Sequence, residues 1–365
     1  MDKTRWMAGL LLLIFLTGCG DQRVLERVGF IQTTTYDLMP DGTYKIVIAL
    51  PKVDPESKVS RDILATVAHS VKEAKINLSK KSSLMLVNGQ IRNVLFGLAV
   101  AKKGLDNHFD TLARDPSISP HMKITLVDGN AGAIMEKTYS HHKNIGKYID
   151  HLLEKESKQH AVPKVTLYSF LRDYYDDGID PVAPVIKDIG EGITIDAVGL
   201  FRDNKYIDKI SSKETMILAV LRDSFKRGNI AIPLDKNNPT EVAMFNSLIS
   251  RRKVNIIPNS EGKPAARILV RIKGTLLEYT GDLKLGEDKD RRELEKKISA
   301  FLTAQGNQMI RFMQSKKVDS LGIGTYVRNQ MSYSGWKKMD WHEEYSKMDI
   351  QCRIQMEIKN YGKIK

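Results

Sequence analysis

Cysteine is almost missing from this 365-residue sequence, which holds only Cys19 and Cys352. That excludes a disulfide-stapled scaffold, so burial must hold the fold together. Long apolar runs are also missing. Beyond the N-terminal stretch from Trp6 to Leu16, none approaches the ~20 residues that a membrane helix needs. No internal repeat or low-complexity tract stands out.

The common signatures of catalysis are absent as well. The chain has no G-x-S-x-G elbow, no H-E-x-x-H helix and no Walker sequence. Gly322-Ile323-Gly324 lacks the third glycine of a dinucleotide loop, because Val327 stands there. The segment from Asp173 to Pro184 approaches a calcium loop through Asp173, Asp177 and Gly178. Tyr175 and Pro184 occupy positions where ligands belong, so a helix end followed by a turn explains the segment better. His141, His142, His151 and His160 crowd together, yet no pair among them has zinc-ligand spacing and no cysteine joins them. Catalytic triads need not be local in sequence, so these absences weaken an enzyme without excluding one. The expectation is a non-enzymatic chain with no cofactor and no metal.

What is present starts at the N-terminus. Lys3 and Arg5 precede the short apolar run, which closes on Leu16-Thr17-Gly18-Cys19. A charged start, a short apolar core and small residues before the cut describe a secretory signal, residues 1–18, ending in a lipobox. The mature chain is then expected to begin at Cys19 with diacylglycerol on its thiol. Two acyl chains anchor stably where one binds only marginally. The formal net charge of +13 invites a nucleic-acid partner, but an exported lipoprotein meets anionic lipid and acidic wall polymer first. No nucleic acid is expected, and most lysines and arginines read as solvated faces.

Apolar residues make up 42% and charged residues 28%, enough core for two or three domains. Val28 to Tyr36, the turn Pro40-Asp41-Gly42 and Thr43 to Leu50 read as a hairpin. Val59, Ile63, Val67 and Val71 recur every four residues, which predicts a helix from Glu56 to Lys81. Leu84 to Val87 reads as a strand, Ile91 to Lys103 as a second helix and Met122 to Val127 as a strand. Pro181, Pro184, Gly190 and Gly192 break helix and strand alike and mark a boundary. Beyond it come a strand at Ile193 to Phe201, a helix at Ser212 to Lys226, a strand at Ala266 to Tyr279 and a helix at Asp288 to Gln314. That last helix carries the apolar stripe Leu294, Ile298, Phe301, Leu302, Met309, Phe312 and Met313. A closing strand alternates through Met348, Ile350, Cys352, Ile354, Met356 and Ile358, which places Cys352 in the core as an inert thiol. Trp336 and Trp341 either cap a sheet edge in the core or anchor an interface. The expected fold is α+β, mixed and multi-domain, with strands and helices in each domain and a largely antiparallel C-terminal sheet. Residues 19–190 form the N-terminal region, of two subdomains, and 191–365 the C-terminal domain.

With these residues in hand, the chain resembles the Ger(x)C family, lipoprotein C subunits of spore germinant receptors. The resemblance runs from Gly18-Cys19 through Pro40-Asp41-Gly42 and is sharpest from Val87-Asn88-Gly89-Gln90 to Gly104-Leu105. It continues through Arg114-Asp115-Pro116, Asn130 to Met135, Asp180-Pro181 to Pro184 and Gly199-Leu200-Phe201. It ends with Asp319-Ser320-Leu321-Gly322-Ile323-Gly324, Trp336, Trp341 and the closing strand to Gly362. Gly20 departs from the family, where tryptophan often follows the lipidated cysteine. The resemblance implies a three-domain mixed fold, attachment to the outer face of the cell membrane and the spore inner membrane, and work beside two integral membrane subunits in sensing small nutrients. It supplies no catalytic residue. Asp319, Gly322, Gly324, Trp336 and Trp341 are the candidate partner contacts. The alternative is a lipoprotein solute-binding module that captures a small nutrient itself, and a wall-processing enzyme is a third reading.

Overall fold

The structure is a computed structural model that describes residues 27–52, 61–142, 144–159, 162–224, 228–234, 241–258 and 263–361. Cys19 and the signal segment, His160 and Gly362 lie outside the described residues.

The largest sheet has eight strands. In chain order they are β2 (Thr33–Leu38), β3 (Tyr44–Pro51), β4 (Arg61–Ala68), β6 (Asn93–Gly97), β7 (Lys123–Val127), β8 (Val182–Asp188), β9 (Ile193–Arg202) and β10 (Lys205–Ser211). Their spatial order is β10-β9-β8-β7-β6-β2-β3-β4. The central neighbours β8, β7, β6 and β2 run parallel, and antiparallel pairs flank them on both sides. A small parallel pair, β1 (Val28–Phe30) with β5 (Met85–Val87), lies apart.

Central parallel strands are buried on both faces, so alternate side chains enter different cores. Val94 and Phe96 of β6, Ile124 and Leu126 of β7, and Ile46 and Ile48 of β3 belong to one core. Helices α1 (Val71–Ser79), α2 (Leu98–Lys103), α3 (Asp106–Arg114) and α6 (Leu167–Tyr175) supply residues to that core. Leu95, Val127 and Val47 face the other core, beneath α4 (Ala131–Glu136) and α5 (Ile145–Lys158).

Two expected helices are corrected here. The stretch read as a helix from Glu56 to Lys81 holds β4 and then α1, with 53–60 outside the described residues. Apolar residues four apart also share one face of a strand, so Ile63 and Val67 fit period two as well as a helix. The stretch from Ile91 to Lys103 is β6 followed by α2. An unbroken apolar run does not separate a doubly buried strand from a helix. The prolines and glycines from 181 to 192 do not break the sheet. β8 occupies 182–188, and residues 189–192 turn into its antiparallel partner β9.

The C-terminal sheet has the order β11-β12-β13-β14, from β11 (Ile230–Pro233), β12 (Val242–Pro258), β13 (Pro264–Tyr279) and β14 (Asp349–Tyr361). Its pairs are antiparallel except β13 with β14, which is parallel. Helix α7 (Thr215–Arg222) and the 28-residue α8 (Asp288–Ser315) pack with it. The expected stripe of α8 is buried at Leu294, Ile298, Leu302, Met309 and Met313, joined by Ile310, while Phe301 and Phe312 are half-buried.

A second, polar stripe on α8 closes the open edge of β14. Glu295 Oε1, Ser299 Oγ, Thr303 Oγ1 and Asn307 Oδ1 accept the N–H groups of Ile358, Met356, Ile354 and Cys352 at 2.7, 2.9, 3.0 and 2.9 Å. Four helical residues rise ~6.0 Å, and two strand residues rise ~6.6 Å. The two ladders therefore stay in step along the edge. Gly306 lets the helix approach, because a Cβ there would meet Cys352 Sγ at 2.6 Å. An edge strand left open invites foreign strands, and this helix removes that edge.

Candidate functional site

The densest polar constellation lies where the segment after α6 meets three short helices, α9 (Ile323–Arg328), α10 (Tyr333–Lys337) and α11 (Trp341–Lys347). Asp173, Asp176, Asp177 and Asp180, four carboxylates of the segment whose Asp173, Asp177 and Gly178 approach a calcium loop, each take a partner there. Asp173 is buried and receives Arg222 Nη2 of α7 at 2.5 Å. Asp176 receives both terminal nitrogens of Arg328 at 2.8 and 3.2 Å. Asp177 receives Lys337 Nζ at 2.9 Å and Trp336 Nε1 at 3.3 Å, and the Lys337 bond holds its carboxyl below the usual range. Asp180 faces His342 Nε2 at 3.1 Å and accepts the Asp319 N–H at 2.6 Å.

Backbone geometry seats this bracket. The Asp180 N–H returns to the Asp319 carbonyl at 2.9 Å, and the Thr325 N–H donates to the Gly178 carbonyl at 3.1 Å. Gly178 and Gly324 stand back to back: a Cβ on Gly178 would lie 2.5 Å from Thr325 N, and one on Gly324 2.6 Å from Trp341 Nε1. Gly322, at φ +69°, takes the left-handed turn that opens α9.

Asp319 is the centre of this hub. Its carboxylate accepts the Ile323 N–H at 3.0 Å, the Gly324 N–H at 2.7 Å and Trp341 Nε1 at 3.1 Å. It is wholly enclosed, and burial pushes its carboxyl up to about 7 against the pull of those donors. The hydrogen bond to Asp180 raises His342 above its ordinary value. Arg222 and Arg252 brace the turn by donating to the Ser320 and Leu321 carbonyls at 2.9 and 3.0 Å.

Asp319, Gly322, Gly324, Trp336 and Trp341 are therefore brought together, as neighbours in one buried cluster. The rings of Trp336 and Trp341 meet in a tilted pair at 5.4 Å between centroids, 4% and 7% exposed. Their rings are enclosed by their own chain, against Asp177 and Asp319 rather than as the cap of a sheet edge. His141, His142 and His151 form no group with metal-ligand geometry among the described residues, and His142 stacks on Tyr148 at 3.7 Å. Among the described residues, the grouping with metal-ligand geometry is Asp180, Asp203 and His342. In it Asp180 already accepts the Asp319 and Asp203 N–H groups and meets His342. Sequence reasoning missed Arg222, Arg328 and His342. Their only signal was four carboxylates in eight residues that had to be neutralised somewhere.

Among the described residues, no helix is long and apolar enough to cross a membrane. Residues 21–188 match the family described as spore germination protein N-terminal domain, and residues 196–362 match spore germination B3/GerAC like, C-terminal. The chain belongs to the GerAC-like spore germination proteins. Relatives in this family align end to end. Spore germination protein GerQC of Bacillus cereus is 24% identical, with 98% of this chain and 99% of that protein covered. Spore germination protein B3 of Bacillus subtilis (strain 168) is 22% identical, with 97% and 96% covered. The putative spore germination protein YfkR of the same strain is 21% identical, with 96% and 95% covered. The crystal structure of the GerBC protein superposes with a TM-score of 0.58 at 18% identity, covering 90% of this chain and 97% of that one. That likeness speaks to the fold. The GerAC-like match gives this chain a role in spore germination, and its mixed, multi-sheet architecture agrees with the expected fold class.

Proposed function

We propose that the chain is the lipid-anchored subunit of a spore germinant receptor. Diacylglycerol on Cys19 holds it to the outer face of the cell membrane and then of the spore inner membrane, and its folded part docks on two integral membrane subunits. The observation that carries the reading is a family match beginning at residue 21, directly behind Leu16-Thr17-Gly18-Cys19, and running to residue 362. The hub supports a binding or assembly role rather than catalysis, because its carboxylates are committed to backbone N–H groups, arginines and a lysine. Spores lacking the chain, exposed to single nutrients, should lose dipicolinate release for at least one of them. Cys19→Ala should restore the response less well than the wild type. Unchanged responses to every nutrient refute the reading.

One observation favours the second reading, direct capture of a small nutrient. A cavity of about 360 Å³ lies between α1, α3 and the sheet, lined by Ile31, Tyr36, Ile46, Leu78 and Ile118 with Asn88 and Asp115 among its polar lining. That size and apolar character suit a small ligand. Calorimetric titration with nutrients, with Leu78→Trp to fill the cavity, separates the two readings. Heat of binding that the variant abolishes supports capture, and its absence across the nutrients leaves the subunit reading.

A further inference from the structure

We propose that the outward face of α1, with the turn leading into β5, is the surface that lies against an anionic bilayer. This orientation rests on the lipid anchor proposed above. Cys19 and Arg27, the first described residue, are eight residues apart, which limits the tether to ~29 Å however it is arranged. The bilayer surface therefore lies within that reach of Arg27. Val28 pairs with Met85 of β5, which places the tether's exit beside that turn.

The surface around that exit has the composition of an interfacial face. Val71, Ala74 and Leu78 of α1 turn inward to the core, while Lys72, Ile76 and Lys80 lie four apart on the exposed side. Lys75 and Lys81 flank this stripe and are exposed too, with Lys81 Nζ donating to the Ala65 carbonyl at 2.7 Å. Ile76 is 59% exposed and Met85 56%, two large apolar side chains left open among the described residues. Apolar side chains ringed by lysines, whose stems lie along apolar surface while the ammonium groups reach phosphate, are what a headgroup layer accepts. The acids nearby are engaged locally. Glu73 accepts the His69 N–H, Asp110 pairs with Arg114, and Asp115 binds Asn88 and Ser117 beside Lys75. The face is thus net positive where lipid attraction acts, within about a Debye length of the membrane.

The test uses the full lipidated chain in vesicles of phosphatidylglycerol and phosphatidylcholine. Single cysteines replace Ile76, Met85 or Leu277, the last an exposed residue of β13 in the C-terminal sheet. Each is labelled with an environment-sensitive fluorophore; Cys352 is buried and stays unlabelled in the folded protein. The expected result is a blue shift and loss of emission with quencher-bearing lipid at 76 and 85 but not at 277. Lys72→Glu with Lys80→Glu should reverse the effect at 76 while the protein still sediments with the vesicles. Sedimented protein whose residue 76 is as open to aqueous iodide as residue 277 overturns the orientation alone, the expected outcome if that face meets a protein or solvent. Protein that fails to sediment overturns the anchor and the orientation with it.

Discussion

Replacing Asp319 with alanine orphans three N–H donors at once, those of Ile323, Gly324 and the Trp341 indole. A buried unsatisfied donor costs about 1–3 kcal/mol, so the loss sums to roughly 3–9 kcal/mol. Removal of the carboxyl works the other way. Burial lifts its pKa from 3.8 to about 7. A carboxyl with a raised pKa holds its proton more tightly folded than unfolded, so its contribution is fully present below about pH 4 and is lost as pH rises through 7. At ~1.4 kcal/mol per unit, the full shift is on the order of 4 kcal/mol. Asp319→Ala should therefore destabilise strongly at pH 5 and by about 2–3 kcal/mol less at pH 8. His342, raised by Asp180, adds a slope of the same sign, present below its ordinary pKa and lost as pH rises through the raised one, and the variant retains it. The assay is urea unfolding followed by tryptophan emission. In a chain prepared to start at Cys19, Trp336 and Trp341 are the only tryptophans, so emission reads the hub itself. An alanine variant within about 0.5 kcal/mol of the wild type at pH 5, or a difference that does not change between pH 5 and 8, refutes this account of the hub.

Arg222→Met leaves Asp173 buried without its cation and should destabilise by about 3–5 kcal/mol in the same assay, while Lys337→Met at the exposed Asp177 pair should leave the urea midpoint unchanged. Gly178→Ala drives a Cβ into the Thr325 backbone and should cost more than about 2 kcal/mol, with a red shift of tryptophan emission in the folded protein. Asn307→Leu orphans the N–H and carbonyl of Cys352, and hydrogen exchange at that amide should accelerate at least about tenfold while strand β8 is unaffected. Burial pushes the Cys352 thiol up to about 11, so a thiol reagent at pH 8 should find none in the folded lipidated chain and one after denaturation. Two thiols after denaturation would mean that Cys19 carries no lipid.

The sequence was most legible where one face of an element is buried and the other is not. β13, α8 and β14 all show that one-sided pattern, and their periods matched the structure, whereas β2 and β3 are covered on both faces and the turn Pro40-Asp41-Gly42 revealed their hairpin. Where both faces are covered, as at β6, Val94, Leu95 and Phe96 follow one another without a polar break and the period disappears. The stretch 61–68 failed for a related reason, since residues spaced by four satisfy both periods. The hub was half legible. Asp319, Gly322, Gly324, Trp336 and Trp341 were chosen together and do meet. Asp180 and His342 are 162 positions apart, and no local rule pairs residues so distant. The polar ladder of α8 escaped notice because Glu295, Ser299, Thr303 and Asn307 look like a solvated face until an edge strand lies beside them.

The most direct test of the central claim is to purify the tagged chain from spore membranes in mild detergent and identify what accompanies it. The account predicts two integral membrane proteins retained with the chain, and a mature N-terminus whose mass shows diacylglycerol on Cys19. A chain recovered alone, or one whose first residue is not a lipidated Cys19, would contradict it.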